Sequence, residues 1–262
     1  MTERDRTVVL VTGGASGVGR AIARAFIASQ ASVHVFDASE NHIQTFLGEN
    51  PAATATLCDV GDPDQVAAAF EELKSKHGAL HVLINNAGIA GPSASAEDIS
   101  IDDWNRCIDV NLGGVFFITR QAIPLLKIQN GGAIINIASN AGLFGCPHRT
   151  PYAASKWGMI GLTKTWAMEL GPHNIRVNAV CPTSVEGERI DAVIERDAAN
   201  RGLSANEIRD VYQRQSSMRT FVTADDVANM VIFLASDKAA RISGQAIAVD
   251  GHTETLSNWL DH

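Results

Sequence analysis

Residues Thr7 to Thr12 form an apolar, β-branched run, and Thr12-Gly13-Gly14-Ala15-Ser16-Gly17-Val18-Gly19 follows before a helical pattern sets in at Arg20. A strand that turns on glycines straight into a helix commits the chain to a βαβ crossover, because parallel strands need such a connection while antiparallel ones do not. The glycines allow a tight turn and close approach of the backbone to an anion, and the start of the helix offers unpaired N–H groups and the positive end of its dipole. The next apolar run, Ser32 to Phe36, ends at Asp37, twenty-four positions after Gly13. An acid there accepts ribose hydroxyls and repels a 2′-phosphate. No Arg or Lys follows at Ala38, and Ser16 carries no charge into the turn. The pair of features therefore predicts a dinucleotide site that takes NAD rather than NADP.

Strand patterns recur near 7–12, 32–36, 53–58, 80–84, 132–138, 174–180 and 245–249, each but the last followed by a helical pattern. This alternation predicts an α/β fold, a Rossmann-type doubly wound parallel sheet of about seven strands with helices on both faces. Neither a Pro/Ser-rich linker nor an internal repeat interrupts it, so one domain over 1–262 is expected. Ligands of such sheets sit beyond the carboxyl ends of the strands, where Gly13, Asp37, Asn85 and Ser139 all fall. Residues 183–222 differ in character, being helical in propensity but crowded with charge.

Tyr152 and Lys156 stand four residues apart in Tyr-Ala-Ala-Ser-Lys, a spacing that a helix places on one face. A phenol is a poor base at neutral pH, but a neighbouring cation favours the phenolate. The pair thus suits proton exchange with a substrate hydroxyl.

These motifs, taken in order, resemble those of the classical short-chain dehydrogenase/reductase family over nearly the whole chain. The likeness rests on Thr12-Gly13-x-x-x-Gly17-x-Gly19, Asp59-Val60 after the third strand, Asn85-Asn86-Ala87-Gly88 after the fourth, and Asn111, Ser139, Tyr152 and Lys156, with thirteen positions from serine to tyrosine. It implies an NAD-dependent oxidoreductase that moves a hydride between a secondary alcohol and the cofactor. Tyr152 would be the general acid/base, Lys156 would lower its pKa and bind the nicotinamide ribose, Ser139 would hold the substrate oxygen, and Asn111 would hold a water that links Lys156 to solvent. Gly13, Ser16, Gly17, Val18, Gly19, Asp37, Asp59, Val60, Asn86, Ala87, Gly88, Pro182 and Val185 would complete the cofactor site, and 183–222 would be a substrate lid. The family's Pro-Gly after the sixth strand is Pro182-Thr183 here, and Gly187 replaces a hydroxyl residue, so the carboxamide contact departs from the family pattern.

Substrate-lining candidates are Ala90, Gly91, Asn140, Leu143, Cys146, His148, Arg149 and Glu186, which flank these motifs. His148 and Arg149 beside Tyr152 favour a small polar alcohol, a sugar or a hydroxy acid over a large apolar one. Two other readings of the motifs are an NADP-dependent ketoreductase of 3-oxoacyl thioesters and a dinucleotide-binding protein without turnover. The formal charge of -8, from 21 Lys and Arg against 29 Asp and Glu, disfavours a nucleic-acid partner. Cys58, Cys107, Cys146 and Cys181 show neither metal-site nor disulfide spacing. The charged start Met-Thr-Glu-Arg-Asp-Arg and the lack of a long apolar run lead us to expect neither export nor membrane insertion, hence a cytoplasmic protein. By the same resemblance, the last strand and the tail carrying Leu256, Trp259 and Leu260 would pack in a homotetramer.

Overall fold

The computed structural model describes residues 7–253; Leu256, Trp259 and Leu260 lie outside them. Seven strands form one wholly parallel sheet: β1 (Val8–Thr12), β2 (Ser32–Asp37), β3 (Thr54–Leu57), β4 (Val82–Asn85), β5 (Gly132–Ile137), β6 (Ile175–Pro182) and β7 (Ala246–Val249), in the order β3-β2-β1-β4-β5-β6-β7. The chain first builds outward from β1 to β3, then returns to place β4 on the other side of β1. A topological switch point therefore opens between β1 and β4. All seven predicted strands are present, with ends shifted by no more than two residues.

The central strands read as largely apolar runs because both faces of the sheet are covered there. In β1, Val8 and Leu10 enter one core with Phe70 of α3 (Pro63–His77), Ile118 of α5 (Gly114–Ile128) and Met159 of α6 (Thr150–Leu170). Val9 and Val11 enter the other, with Ile22 of α1 (Gly17–Ala28), Phe46 of α2 (Glu40–Glu49) and Val227 of α9 (Ala224–Ala235). Each such side chain stabilises the fold by about 1.5–3 kcal/mol on burial. The remaining long helices are α4 (Ile101–Ile108), α7 (Glu188–Arg201) and α8 (Ala205–Gln213). The last two pack on each other through Ile190, Ile194 and Ile208 with Phe221, a small separate core inside the charge-rich 183–222 stretch.

His34 interrupts the apolar run of β2. It is fully buried on the face of Phe36, whose ring it meets edge-on at 5.3 Å. Thr54 and Thr56 of β3 satisfy its two ring nitrogens at 2.7 and 3.0 Å, and Thr54 also bonds His77 of α3 at 2.7 Å. Burial, reinforced by the charges of His77 and Lys76, pushes the His34 pKa down to about 3. The folded protein thus binds fewer protons at this residue than the unfolded chain does, so stability falls as pH drops from about 6.5 toward 3. Between pH 6.5 and 4.5 we expect His34 to remove about 2 kcal/mol, and urea unfolding should show the midpoint falling across that window. His34→Gln should flatten most of that slope; an unchanged slope would place the titration elsewhere.

Candidate active site

The glycine turn is fastened to the far side of the switch point. Thr12, the last residue of β1, accepts the backbone N–H groups of Asn86 and Ala87 on its Oγ1 at 3.0 and 3.1 Å, while the Asn86 amide donates to the Thr12 and Gly13 carbonyls at 3.0 Å. Below, Asn85 donates to Thr119 and to Asn136, which donates to Thr163, so a chain of buried amides and hydroxyls ties β4 and β5 to α5 and α6. Gly19 packs against the turn so closely that a Cβ would lie 2.0 Å from the Gly13 carbonyl oxygen. Gly17 is the opposite case. At φ +52°, a Cβ there would meet nothing within 4 Å, and Ser16 makes no side-chain cap to α1. That open cradle of helix N–H groups fits the pyrophosphate of a dinucleotide.

Asp37 closes the next strand with a nearly buried carboxylate that accepts the N–H groups of Ala15, in the glycine turn, and Ser39 at 3.1 and 3.0 Å. Asp59 accepts the Gly61 N–H at 2.9 Å and pairs with Arg106 of α4 at 2.7 Å, while Val60 is buried in the core. The glycine turn is thus tied to Asp37 through Ala15 and to the segment after β4 through Thr12, while Asp59 is tied to α4.

The second half of the site comes from α4, β5 and α6. Between α4 and α5 the helix widens into one π-type turn, Asp109–Gly113, which carries Asn111 inward. Its amide clips the loop after β4, accepting the Ile89 N–H at 2.8 Å and donating to the Ile89 carbonyl at 3.0 Å and to Ser155 at 3.3 Å. Lys156, one residue on, is buried; its Nζ donates to the Ile137 carbonyl at 2.9 Å and stands 5.6 Å from the Tyr152 ring centre. Ser139, just past β5, is hydrogen-bonded to the Tyr152 phenol and also accepts the Ala141 N–H at 3.1 Å. Burial raises the phenol's pKa, but Lys156, Arg189, the Ser139 hydrogen bond and Arg149 outweigh it, and the net shift is downward. Lys156 is lowered mainly by burial, opposed by Tyr152.

The substrate-side candidates separate. Arg149 lies 4.9 Å from the Tyr152 ring centre and donates to the Ala90 carbonyl at 2.8 Å, while its Nε is buried without a partner. Gly91 lies against Cys107. Asn140 is buried and donates to Thr183 and Thr253 at 2.9 and 3.2 Å, bracing the ends of β5 and β6. Leu143 packs on the core, Cys146 is half-buried, and His148 is exposed at φ +61°, its carbonyl accepting the Ala94 N–H. Pro182 ends β6, and Val185 forms a parallel bridge with Val222, the Glu186 N–H donating to the Val222 carbonyl. Sequence reasoning missed three residues. Arg189, in the first turn of α7, reaches the phenol by its charge; Arg106 pairs with Asp59; and His42, three positions after the N-cap Ser39, stands 4.0 Å from Asp37. For His42 a signal existed, since Ser39 caps the helix and residue 42 must lie in its first turn.

The family model described as Enoyl-(Acyl carrier protein) reductase matches residues 13–252. The chain belongs to the short-chain dehydrogenase/reductase family. It is 36% identical over 248 residues to the 3-oxoacyl-[acyl-carrier-protein] reductase FabG of Thermotoga maritima, covering 93% of this chain and 96% of that protein. It is 33% identical over 250 residues to the D-beta-hydroxybutyrate dehydrogenase of Rhizobium meliloti, covering 92% and 96%. Among solved structures, a variant of actinorhodin polyketide ketoreductase with NADPH superposes with a TM-score of 0.91 at 34% identity, covering 96% of this chain and 98% of that one. This short-chain dehydrogenase/reductase is therefore an oxidoreductase of alcohols and ketones that uses NAD or NADP. Among the described residues, no helix is long and apolar enough to cross a membrane, and no group of His, Cys, Asp and Glu is disposed to hold a metal ion.

The lowered phenol predicts the pH dependence of alcohol oxidation. The rate should rise as Tyr152 loses its proton, with an acid limb below the ordinary phenol value of about 10. Ser139→Ala, which removes a hydrogen bond that lowers the phenol, should move that limb to higher pH, and Tyr152→Phe should cost about 10²–10⁴ in turnover with circular dichroism unchanged. Near-normal turnover in Tyr152→Phe would remove the phenol from the chemistry.

Proposed function

We propose that this enzyme transfers a hydride between NAD and a small polar secondary alcohol, a sugar or a hydroxy acid. The observation that carries the cofactor preference is Asp37: a nearly buried carboxylate, fixed by two backbone N–H groups against the glycine turn, with no Arg or Lys at Ala38 or Ser16. Placed there, it accepts ribose hydroxyls and opposes a 2′-phosphate. The bound dinucleotide supplies the hydride acceptor for the carbinol carbon. The chain supplies the rest. Tyr152 takes the hydroxyl proton in oxidation and returns one in reduction, Lys156 keeps the phenolate accessible, and Ser139 aligns the substrate oxygen. Arg149 beside the ring supports a polar or anionic substrate, as does the likeness to a hydroxybutyrate dehydrogenase. Residues 183–222, with Arg189 near the phenol, would close over that substrate.

The second reading is NADP-dependent reduction of a 3-oxoacyl thioester, favoured by the likeness to FabG and to a ketoreductase solved with NADPH. Intrinsic fluorescence titration with NADH and NADPH, followed by a panel of alcohols, sugars, hydroxy acids and 3-oxoacyl thioesters, separates the two. We expect tighter NADH binding and turnover of the small polar compounds; tighter NADPH binding with thioester turnover would reverse the assignment.

We also propose a cytoplasmic homotetramer. An apolar strip runs from Ile108 of α4 and Leu112 of the π-type turn to Phe116 of α5 and to Gly158, Gly161 and Leu162 of α6, with Phe116 46% and Trp157 53% exposed. Such a surface suits burial against a second copy. Sedimentation equilibrium should give four chains, whereas a monomer at working concentration rejects the assembly.

A further inference from the structure

Ser139 has one hydroxyl proton and two groups that claim it. The hydroxyl is bonded to the Tyr152 phenol, and it also donates to Asn140 Oδ1 at 3.3 Å while accepting the Ala141 N–H at 3.1 Å. A serine hydroxyl donates once. With its proton on the Asn140 side, Ser139 can only accept from a neutral phenol. With the proton turned to Tyr152, Ser139 stabilises a phenolate and leaves the buried Asn140 oxygen without that donor, which has a cost. Asn140 cannot turn away, because its Nδ2 donates to Thr183 Oγ1 at 2.9 Å and to Thr253 Oγ1 at 3.2 Å. Both amide protons are thereby engaged, and Oδ1 is left for Ser139. The two threonines are themselves fixed. Thr183, just past β6, donates its N–H to the Val249 carbonyl at 3.2 Å, while the buried Thr253 donates its N–H to Asp250 at 3.1 Å and forms an antiparallel bridge with Ser216. The segment after β7 therefore reaches the Ser139 hydroxyl through one amide. The charges that face the phenol are Lys156, Arg189 and Arg149. Cys181 of β6, which is bonded to the Ser139 backbone, stays neutral because burial pushes its thiol up to about 11. Asn140 acts beside all of these as an uncharged acceptor.

We propose that Asn140 is a positioning residue that competes with Tyr152 for the Ser139 proton: the amide, held by Thr183 and Thr253, takes that proton while the phenol is neutral and yields it to a phenolate or to a substrate oxygen. The inference rests on Ser139 and Tyr152 as the proton-exchanging pair of the proposed function. Asn140 then opposes the phenolate, whereas Ser139 favours it, so removing the two side chains has opposite effects on one phenol.

The chain has two tyrosines, so Tyr212→Phe leaves Tyr152 as the sole phenol, and ultraviolet difference absorbance of tyrosinate in the full chain then reads its titration midpoint without any substrate. In that background we expect Asn140→Ala to lower the midpoint by about half a unit to one unit, the size of one hydrogen bond, and Ser139→Ala to raise it. Combining Ser139→Ala with Asn140→Ala should give the midpoint of Ser139→Ala alone, because Asn140 acts only through the serine. Thr253→Val, which deletes one of the two anchors of the amide, should lower the midpoint by less and should also lose its effect in Ser139→Ala. That variant carries the test if Asn140→Ala fails to fold. A midpoint that Asn140→Ala leaves unmoved or raises, or shifts equally with and without Ser139, would overturn the role of Asn140 and leave the Ser139–Tyr152 pair standing. A midpoint that Ser139→Ala does not move would overturn the pair, and the inference with it.

Discussion

The site depends on how the sheet is held at its switch point. Because β4 returns to the side of β1 opposite β2, the loops that leave β1 and β4 diverge and a crevice opens between them. The Thr12 hydroxyl and the Asn86 amide bridge its floor with four hydrogen bonds. Those bonds satisfy backbone groups that an open crevice would leave unpaired, and they fix the glycine turn relative to the loop that carries Gly88 and Ile89. Asn111 then clips Ile89 to the helix of Tyr152 and Lys156. Side-chain hydrogen bonds thus link the glycine turn, the loop after β4 and α6 in one chain.

Electrostatics at the chemical end follow from burying a cation. Lys156 has lost its water, and the Ile137 carbonyl returns only part of that hydration. A phenolate beside it recovers more, which is why the lysine's cost appears as a lowered tyrosine pKa. Arg149, at the start of α6, and Arg189 of α7 add positive charge, so the shift is shared between two helices.

Much of this arrangement was legible in the chain. Burial of both sheet faces makes the central strands largely apolar, so Val8–Thr12 and its neighbours stand out, and Gly19 must be glycine because a backbone oxygen occupies the place of its Cβ. Local spacing likewise carries Tyr152 and Lys156, since a helix makes neighbours of residues four apart. Asn140 was less legible. Its place beside Ser139 suggested the substrate, whereas its amide is engaged by Thr183 and Thr253, far away in sequence. His34 was read simply as part of a strand, and only the threonines of β3 show why a polar ring is tolerated there.

The sequence by itself determined the elements, their order and the residue types that meet at the strand ends, because period, glycine turns and helical spacing are local properties of the chain. Tertiary structure alone decided which of those residues keep free polar groups for a ligand and which spend them on the fold. It aimed Arg149 at the tyrosine ring, paired Arg106 with Asp59, and set His42 against Asp37. Such pairings depend on distances between separate elements of the chain, and those distances exist only once the sheet has closed its layers.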